Sequence, residues 1–136
     1  MHLGIPAPRT TIAVIDDDVR LAGLVKMVLE ETSDAYRVEI EPRVNEGFAF
    51  IKGLRPNVVI LDMMMGVDAV GFETLDRLSE DVALCEIPVV ISSAGLFPAE
   101  RYRAFKSPLL QLPKPFRLEE LLQAVESALS GTPSAA

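Results

Sequence analysis

Cysteine and histidine each occur once, as Cys85 and His2. A single cysteine cannot close a disulfide within the chain, and without a cysteine and histidine cluster there is no zinc-type donor set. Cys85 reads instead as a small buried or half-buried side chain. His2 lies in a proline-containing tail, so a triad or dyad built on histidine is excluded. No glycine-rich P-loop is present to cradle a nucleotide. No apolar run approaches the roughly 20 residues of a membrane span. The N-terminus lacks the charged start and long apolar block of a secretory signal, so the cytoplasm is the expected location. Cations are scarce too: 13 Lys and Arg stand against 20 Asp and Glu, a net charge of -7. That balance gives no cationic footprint for direct nucleic-acid binding. Aromatic residues make up only 6% of a chain that is 49% apolar, the composition of a soluble globular domain rather than a disordered or membrane protein.

The apolar residues fall into short runs closed by polar groups. Residues 56–65, Pro-Asn-Val-Val-Ile-Leu-Asp-Met-Met-Met, open on a chain breaker, pass through four apolar residues and then place one carboxylate, Asp62. Such a run suits a strand buried on both faces. Residues 10–15 end in Asp16, Asp17 and Asp18; Val89, Val90 and Ile91 lead into Ser92 and Ser93; residues 109–112 lead into Lys114 between two prolines. Residues 36–44 alternate, with Tyr36, Val38 and Ile40 against Arg37, Glu39 and Glu41, which suits an edge strand that tolerates Pro42.

Between these runs the period becomes helical. Leu21, Leu24, Val25, Val28 and Leu29 form one stripe, with Asp17 or Asp18 as N-cap. Residues 45–54 carry Phe48, Ile51 and Leu54 and are closed by Gly53 and Pro56; residues 70–84 carry Phe72, Leu75, Leu78 and Val82; residues 99–105 form a short helix. The last helix carries Leu118, Leu121, Leu122, Val125 and Leu129, has Glu119 and Glu120 at its positive end, and stops at Gly131 and Pro133. Five alternations of strand and helix predict an α/β domain with a five-stranded parallel sheet and helices on both faces.

In a parallel sheet all carboxyl ends lie at one edge, so Asp16, Asp17, Asp62, Ser93 and Lys114 should gather there. Asp62 alone reads first as the cap of a turn or helix; three acids, a hydroxyl and a cation together exceed what capping needs. Three close carboxylates repel one another, and a divalent cation keeps them ionised. Oxygen donors without nitrogen or sulfur favour Mg²⁺, and lysine and serine offer donors for phosphate oxygens. With histidine, cysteine and the P-loop missing, the candidate nucleophile is a carboxylate. The set reads as magnesium-assisted phosphoryl transfer to an aspartate.

Val-Ile-Asp-Asp-Asp at the first strand, Val-Ile-Leu-Asp-Met-Met-Met at the third, Val-Val-Ile-Ser-Ser-Ala at the fourth and Leu-Pro-Lys-Pro-Phe after the fifth resemble the CheY-like receiver domain of two-component response regulators. The resemblance covers residues 11–130, between tails at 1–10 and 131–136. It implies a flavodoxin-like, doubly wound sheet in the order 2-1-3-4-5 with five helices. It also implies Asp62 as phosphoacceptor, Asp16, Asp17 and Asp62 with the Met64 carbonyl around Mg²⁺, Ser93 as the hydroxyl that takes a phosphate oxygen, and Lys114 as partner of the phosphoryl group. The implied partners are a histidine kinase or histidine phosphotransfer protein and a downstream protein target, with a homodimer as an open arrangement. On this view the chain is no enzyme beyond self-catalysed phosphorylation and dephosphorylation.

The chain departs from the family pattern in places. Gly66 stands where family members carry proline, Gly71 comes one position late, Gln111 replaces the aromatic switch residue, and Ser107-Pro108 replaces an Ala-Gly pair. Met64 and Gly95, two residues after Asp62 and Ser93, cannot orient an attacking water, which implies a long-lived phosphoryl state. Two alternatives stay open. A pseudo-receiver would bind partners without being phosphorylated. A haloacid-dehalogenase-type phosphatase would use Asp16 and Asp18 as an Asp-x-Asp motif, with Arg20 out of place and Asp62 left without a role.

Overall fold

Five short strands carry the architecture of the chain in a computed structural model, which describes residues 9–63, 70–95, 97, 99–103 and 105–131. They are β1 (Thr10–Ile15), β2 (Tyr36–Glu41), β3 (Val58–Asp62), β4 (Val89–Ser93) and β5 (Leu109–Pro113). All pair in parallel in the order β2-β1-β3-β4-β5, the flavodoxin-like order that the resemblance implied. β3 and β4 are buried along their whole length because both sheet faces are covered.

Among the described residues four α-helices accompany the sheet: α1 (Val19–Thr32), α2 (Gly47–Leu54), α3 (Val70–Glu80) and α4 (Leu118–Ser130). The fifth helical connection is a 3-10 turn, Ala99–Tyr102, rather than a helix over 99–105. Alternation along the strands sorts the core into two layers. Ile12, Val14, Ile60, Val90 and Leu112 pack with Ala22, Val25 and Leu29 of α1 and Leu121 and Val125 of α4. Ala13, Ile15, Val59, Leu61 and Ile91 pack with Ile51 of α2 and Leu75 and Leu78 of α3.

Several helix faces differ from their sequence periodicity. In α1 the small Ala22 is buried and Leu24 is exposed, because Ala22 lets the helix lie close to the sheet. α3 stops at Glu80, where the Asp81 carboxylate accepts the N–H groups of Ala83 and Leu84 at 2.8 and 3.1 Å. The resulting turn sends Val82 outward, 94% exposed, instead of onto the core stripe. α2 is closed by Arg55, not Gly53: Arg55 takes the left-handed conformation, φ 51°, and its N–H donates to the Ile51 carbonyl at 2.8 Å. α4 keeps its expected ends, with Glu120 accepting the Arg117 N–H at 2.8 Å and Gly131 at φ 72°.

β2 is an edge strand, as its alternation suggested, but it ends at Glu41, before Pro42. Its exposed edge is guarded by α1. Lys26 Nζ donates to the Val38 carbonyl at 2.7 Å and Glu30 accepts the Val38 N–H at 2.9 Å, so these backbone groups cannot recruit a foreign strand. Glu41, expected on the exposed face, is buried because Arg43 covers it with two guanidinium hydrogen bonds of 3.1 and 3.0 Å. Cys85 is buried as expected, and its carbonyl accepts the hydroxyl of buried Ser107.

Candidate functional site

Four strand ends deliver side chains to one edge of the sheet. After β1 the chain turns into α1 through Asp16, Asp17 and Asp18. Asp18 is the N-cap, accepting the Leu21 N–H at 3.1 Å. Asp16 is held in place by the same turn: its Oδ1 accepts the Asp18 N–H at 2.9 Å, leaving Oδ2 to meet Lys114 Nζ at 3.1 Å. Asp62 closes β3, and its Oδ2 lies 3.3 Å from the same ammonium. Lys114 follows β5, tied to β4 by its own N–H, which donates to the Ser93 carbonyl at 2.8 Å; the Lys114-Pro115 peptide is cis. Asp16, Asp17 and Asp62 each offer a carboxylate oxygen, and these oxygens lie within 4.8 Å of one another. Asp17 faces solvent, whereas Asp16 and Asp62 are 5% and 4% exposed.

The electrostatics follow from this packing. Burial raises the Asp16 carboxyl above its ordinary pKa and the nearby Asp62 charge adds to the rise; the Asp18 N–H and Lys114 work against it. Burial opposes the Lys114 charge, but hydrogen bonds and charge from Asp16 and Asp62 outweigh it and hold the ammonium above its ordinary pKa. Lys114 is therefore a fixed cation facing an excess of carboxylate. Hard oxygen donors around a solvent-facing opening fit a divalent ion that keeps part of its hydration, as Mg²⁺ does.

Asp16, Asp17, Asp62 and Lys114 thus come together as their strand-end positions predicted. Ser93 lies at the same edge, buried, but its hydroxyl is engaged with Gly95, donating to the carbonyl and accepting the N–H, each at 3.1 Å. Gln111 is not part of the carboxylate group. It is exposed on β5 and lines, with Phe97, Tyr102, Phe105 and Leu109, a cavity of about 260 Å³. The Met64 carbonyl, together with Met65 and Gly66, lies outside the described residues.

The periodicity of the sequence did not single out two features of the site. Gly71 packs directly on the strand end: a Cβ there would sit 3.0 Å from Met63 Sδ, 3.2 Å from Met63 Cα and 3.4 Å from the Asp62 carbonyl oxygen. A side chain here would push these atoms apart by a few tenths of an ångström, so glycine suits this point although it comes one position late. Ser92 is the other, a buried serine paired in register with Asp62. Its place within an apolar strand beside the acid was the available signal.

The family model for the response regulator receiver domain matches residues 12–126. The chain belongs to the receiver domain family of response regulators. The response regulator Rre1 of Synechocystis sp. is 28% identical over 122 residues, covering 88% of this receiver and 52% of that protein. The transcriptional regulatory protein ResD of Bacillus subtilis is 32% identical over 124 residues, covering 88% and 48%. This receiver chain therefore spans about half the length of the curated relatives it matches. In fold it is similar to the chemotaxis protein CheY4 of Vibrio cholerae, with a TM-score of 0.75 at 24% identity, covering 89% of this chain and 99% of that one. Among the described residues no helix of the receiver is long and apolar enough to cross a membrane.

Proposed function

We propose that this receiver accepts a phosphoryl group on Asp62, with Asp16 and Asp17 holding Mg²⁺, and passes the change to a downstream protein. The observation that carries this is the single ammonium of Lys114 lying 3.1 Å from Asp16 and 3.3 Å from Asp62 at the carboxyl edge of the sheet. The donor is a phosphohistidine on a kinase or phosphotransfer protein, or a small acyl phosphate.

An oxygen of Asp62 attacks the phosphorus, the new O–P bond forms as the donor's bond to phosphorus breaks, and the donor leaves with that electron pair. The negative charge of the carboxylate is carried over to the phosphoryl oxygens. Lys114 already lies beside the reacting oxygen and follows this charge without a large movement. Asp16 is kept from swinging away by the Asp18 N–H. Bound Mg²⁺ supplies further neutralisation of charge on the phosphoryl oxygens.

Ser93 gives the signal its route outward. Its single hydroxyl proton, now donated to the Gly95 carbonyl, must leave that carbonyl to reach a phosphoryl oxygen, so loading the site loosens the hold on Gly95 at the start of the stretch that leads to Phe97. Phe97 stacks on Tyr102 with ring centroids 5.4 Å apart, beside Gln111. The aromatic groups Phe97, Tyr102 and Phe105 beside Gln111 therefore belong to the connection between β4 and β5 and not to β5 itself, and a partner reading the signal would meet that connection.

The test is incorporation of phosphoryl label from acetyl phosphate in the presence of Mg²⁺ by the native chain and by Asp62→Ala. Label on the native chain that vanishes in the variant supports the proposal. Turnover of phosphate esters that depends on Asp16 rather than Asp62 would point to a hydrolase instead.

A further inference from the structure

Ser92 holds a hydroxyl where the rest of its strand is apolar. It is 2% exposed, and its Oγ has no hydrogen-bond partner among the described residues. A buried hydroxyl without a protein partner is unfavourable, which leaves Ser92 Oγ open to an acceptor that comes within its reach. Strand alternation indicates where that acceptor arrives. Val14, Ile60, Val90 and Leu112 all face the layer of α1 and α4, and Asp16, Asp62, Ser92 and Lys114 each follow one of them by two positions, on the same face. Ser92 is the in-register partner of Asp62 on one side and of Leu112 on the other. Neighbouring strands lie about 4.8 Å apart, so the hydroxyl is within a side-chain rotation, or one water, of the Asp62 carboxyl group. Ser93, by the same alternation, starts from the opposite face.

We propose that Ser92 is a positioning residue for Asp62, its hydroxyl donating a hydrogen bond to the carbonyl oxygen of the phosphorylated carboxyl group. This rests on Asp62 being the phosphoacceptor. Before transfer Lys114 Nζ lies 3.3 Å from Asp62 Oδ2. After transfer one Asp62 oxygen is bonded to phosphorus and the other is a neutral carbonyl. The charge, and Lys114 with it, belongs to the phosphoryl oxygens. A neutral acceptor then stands beside a neutral donor that has lacked a partner.

The bond bears on loss of the phosphoryl group. When water attacks phosphorus, the O–P bond breaks, its electron pair returns to Asp62, and the proton from water passes to solvent. Negative charge grows on both carboxyl oxygens, so a hydrogen bond to the carbonyl oxygen strengthens towards the transition state and speeds the loss.

The experiment follows the decay of label from acetyl phosphate and Mg²⁺ in the native chain, Ser92→Ala, Ser92→Thr and Asp62→Ala, with thermal melts of each unlabelled chain. Ser92→Ala should lengthen the phosphoryl lifetime about threefold to tenfold, the effect of one neutral hydrogen bond, while melting no lower than the native chain. Ser92→Thr, which restores the hydroxyl, should return the lifetime towards the native value. A purely structural role would change the melt and leave the decay alone. Decay of Ser92→Ala at the native rate or faster overturns the proposal, as does a folded Ser92→Ala chain that takes no label. A native chain that takes no label overturns the phosphoacceptor assignment and this inference with it, whereas native label with unchanged Ser92→Ala decay overturns the inference alone.

Discussion

Removing the cation at the site while keeping its length, as in Lys114→Met, isolates the electrostatic contribution of the ammonium to the carboxylate group. Lys114 Nζ lies 3.1 Å from Asp16 and 3.3 Å from Asp62, its side chain 18% exposed and the two carboxylates 6% and 5%. Two unit charges 4 Å apart attract by about 4 kcal/mol in surroundings of intermediate dielectric. Breaking a fully buried pair costs about 3–5 kcal/mol. The partial exposure of Lys114 and the water it gives up on folding reduce this, to about 2 kcal/mol for the variant without metal. Unfolding entropy of about 2.1 cal/mol/K per residue over 136 residues converts that into a melting temperature lower by about 7 °C. The remaining carboxylates should bind Mg²⁺ more strongly, because nothing competes for their charge, so added Mg²⁺ should raise the melting temperature of the variant more than that of the native chain. Thermal melts followed by circular dichroism, in chelator and in Mg²⁺, measure both effects. A variant that melts at or above the native temperature in chelator, or a deficit that Mg²⁺ leaves unchanged, would refute the reasoning.

Other perturbations probe how the fold holds the site. Gly71→Ala puts a methyl 3.2 Å from Met63 Cα, which should cost about 1–3 kcal/mol in urea melts and slow phosphoryl labelling, because the displaced backbone carries Asp62. Arg55→Gly, which relieves a left-handed residue at φ 51°, should stabilise by about 0.5 kcal/mol by the same assay, the gain being limited by the greater freedom of glycine when unfolded. Glu30→Ala removes the acceptor of the Val38 N–H and should cost about 1 kcal/mol at neutral pH. That N–H holds the Glu30 carboxyl below its ordinary pKa, with Lys26 helping against a rise from burial. A depressed folded pKa stabilises above the unfolded value and is lost as pH falls through the folded one. The difference between native and variant in pH-dependent melts should therefore close on acidification below the ordinary carboxylate range.

The carboxylate group was legible in the sequence because it follows from topology alone. Once the apolar runs are strands of one parallel sheet, their last residues must meet, and Asp16, Asp62 and Lys114 do. Helix faces were less legible because periodicity fixes a stripe only to within a residue or two. Leu24 yielded to Ala22 for close packing, and Val82 was turned outward by the Asp81 carboxylate. Glu41 and the end of α2 were misplaced for a related reason: a guanidinium two residues from Glu41, and the Ile51 carbonyl that accepts the Arg55 N–H, supply partners that no periodicity records. The two serines at the end of β4 differ only by strand parity, and that becomes readable when the register with Asp62 is known.

The measurement closest to the central claim is peptide mass analysis of the chain after acetyl phosphate and Mg²⁺ treatment and borohydride reduction, which converts an aspartyl phosphate to homoserine. One modified site per chain is expected, homoserine at Asp62, absent when acetyl phosphate is omitted and lost with Asp62→Asn. Modification at Asp16 or Asp17 instead, or none at all with either acetyl phosphate or a phosphohistidine donor, would contradict it.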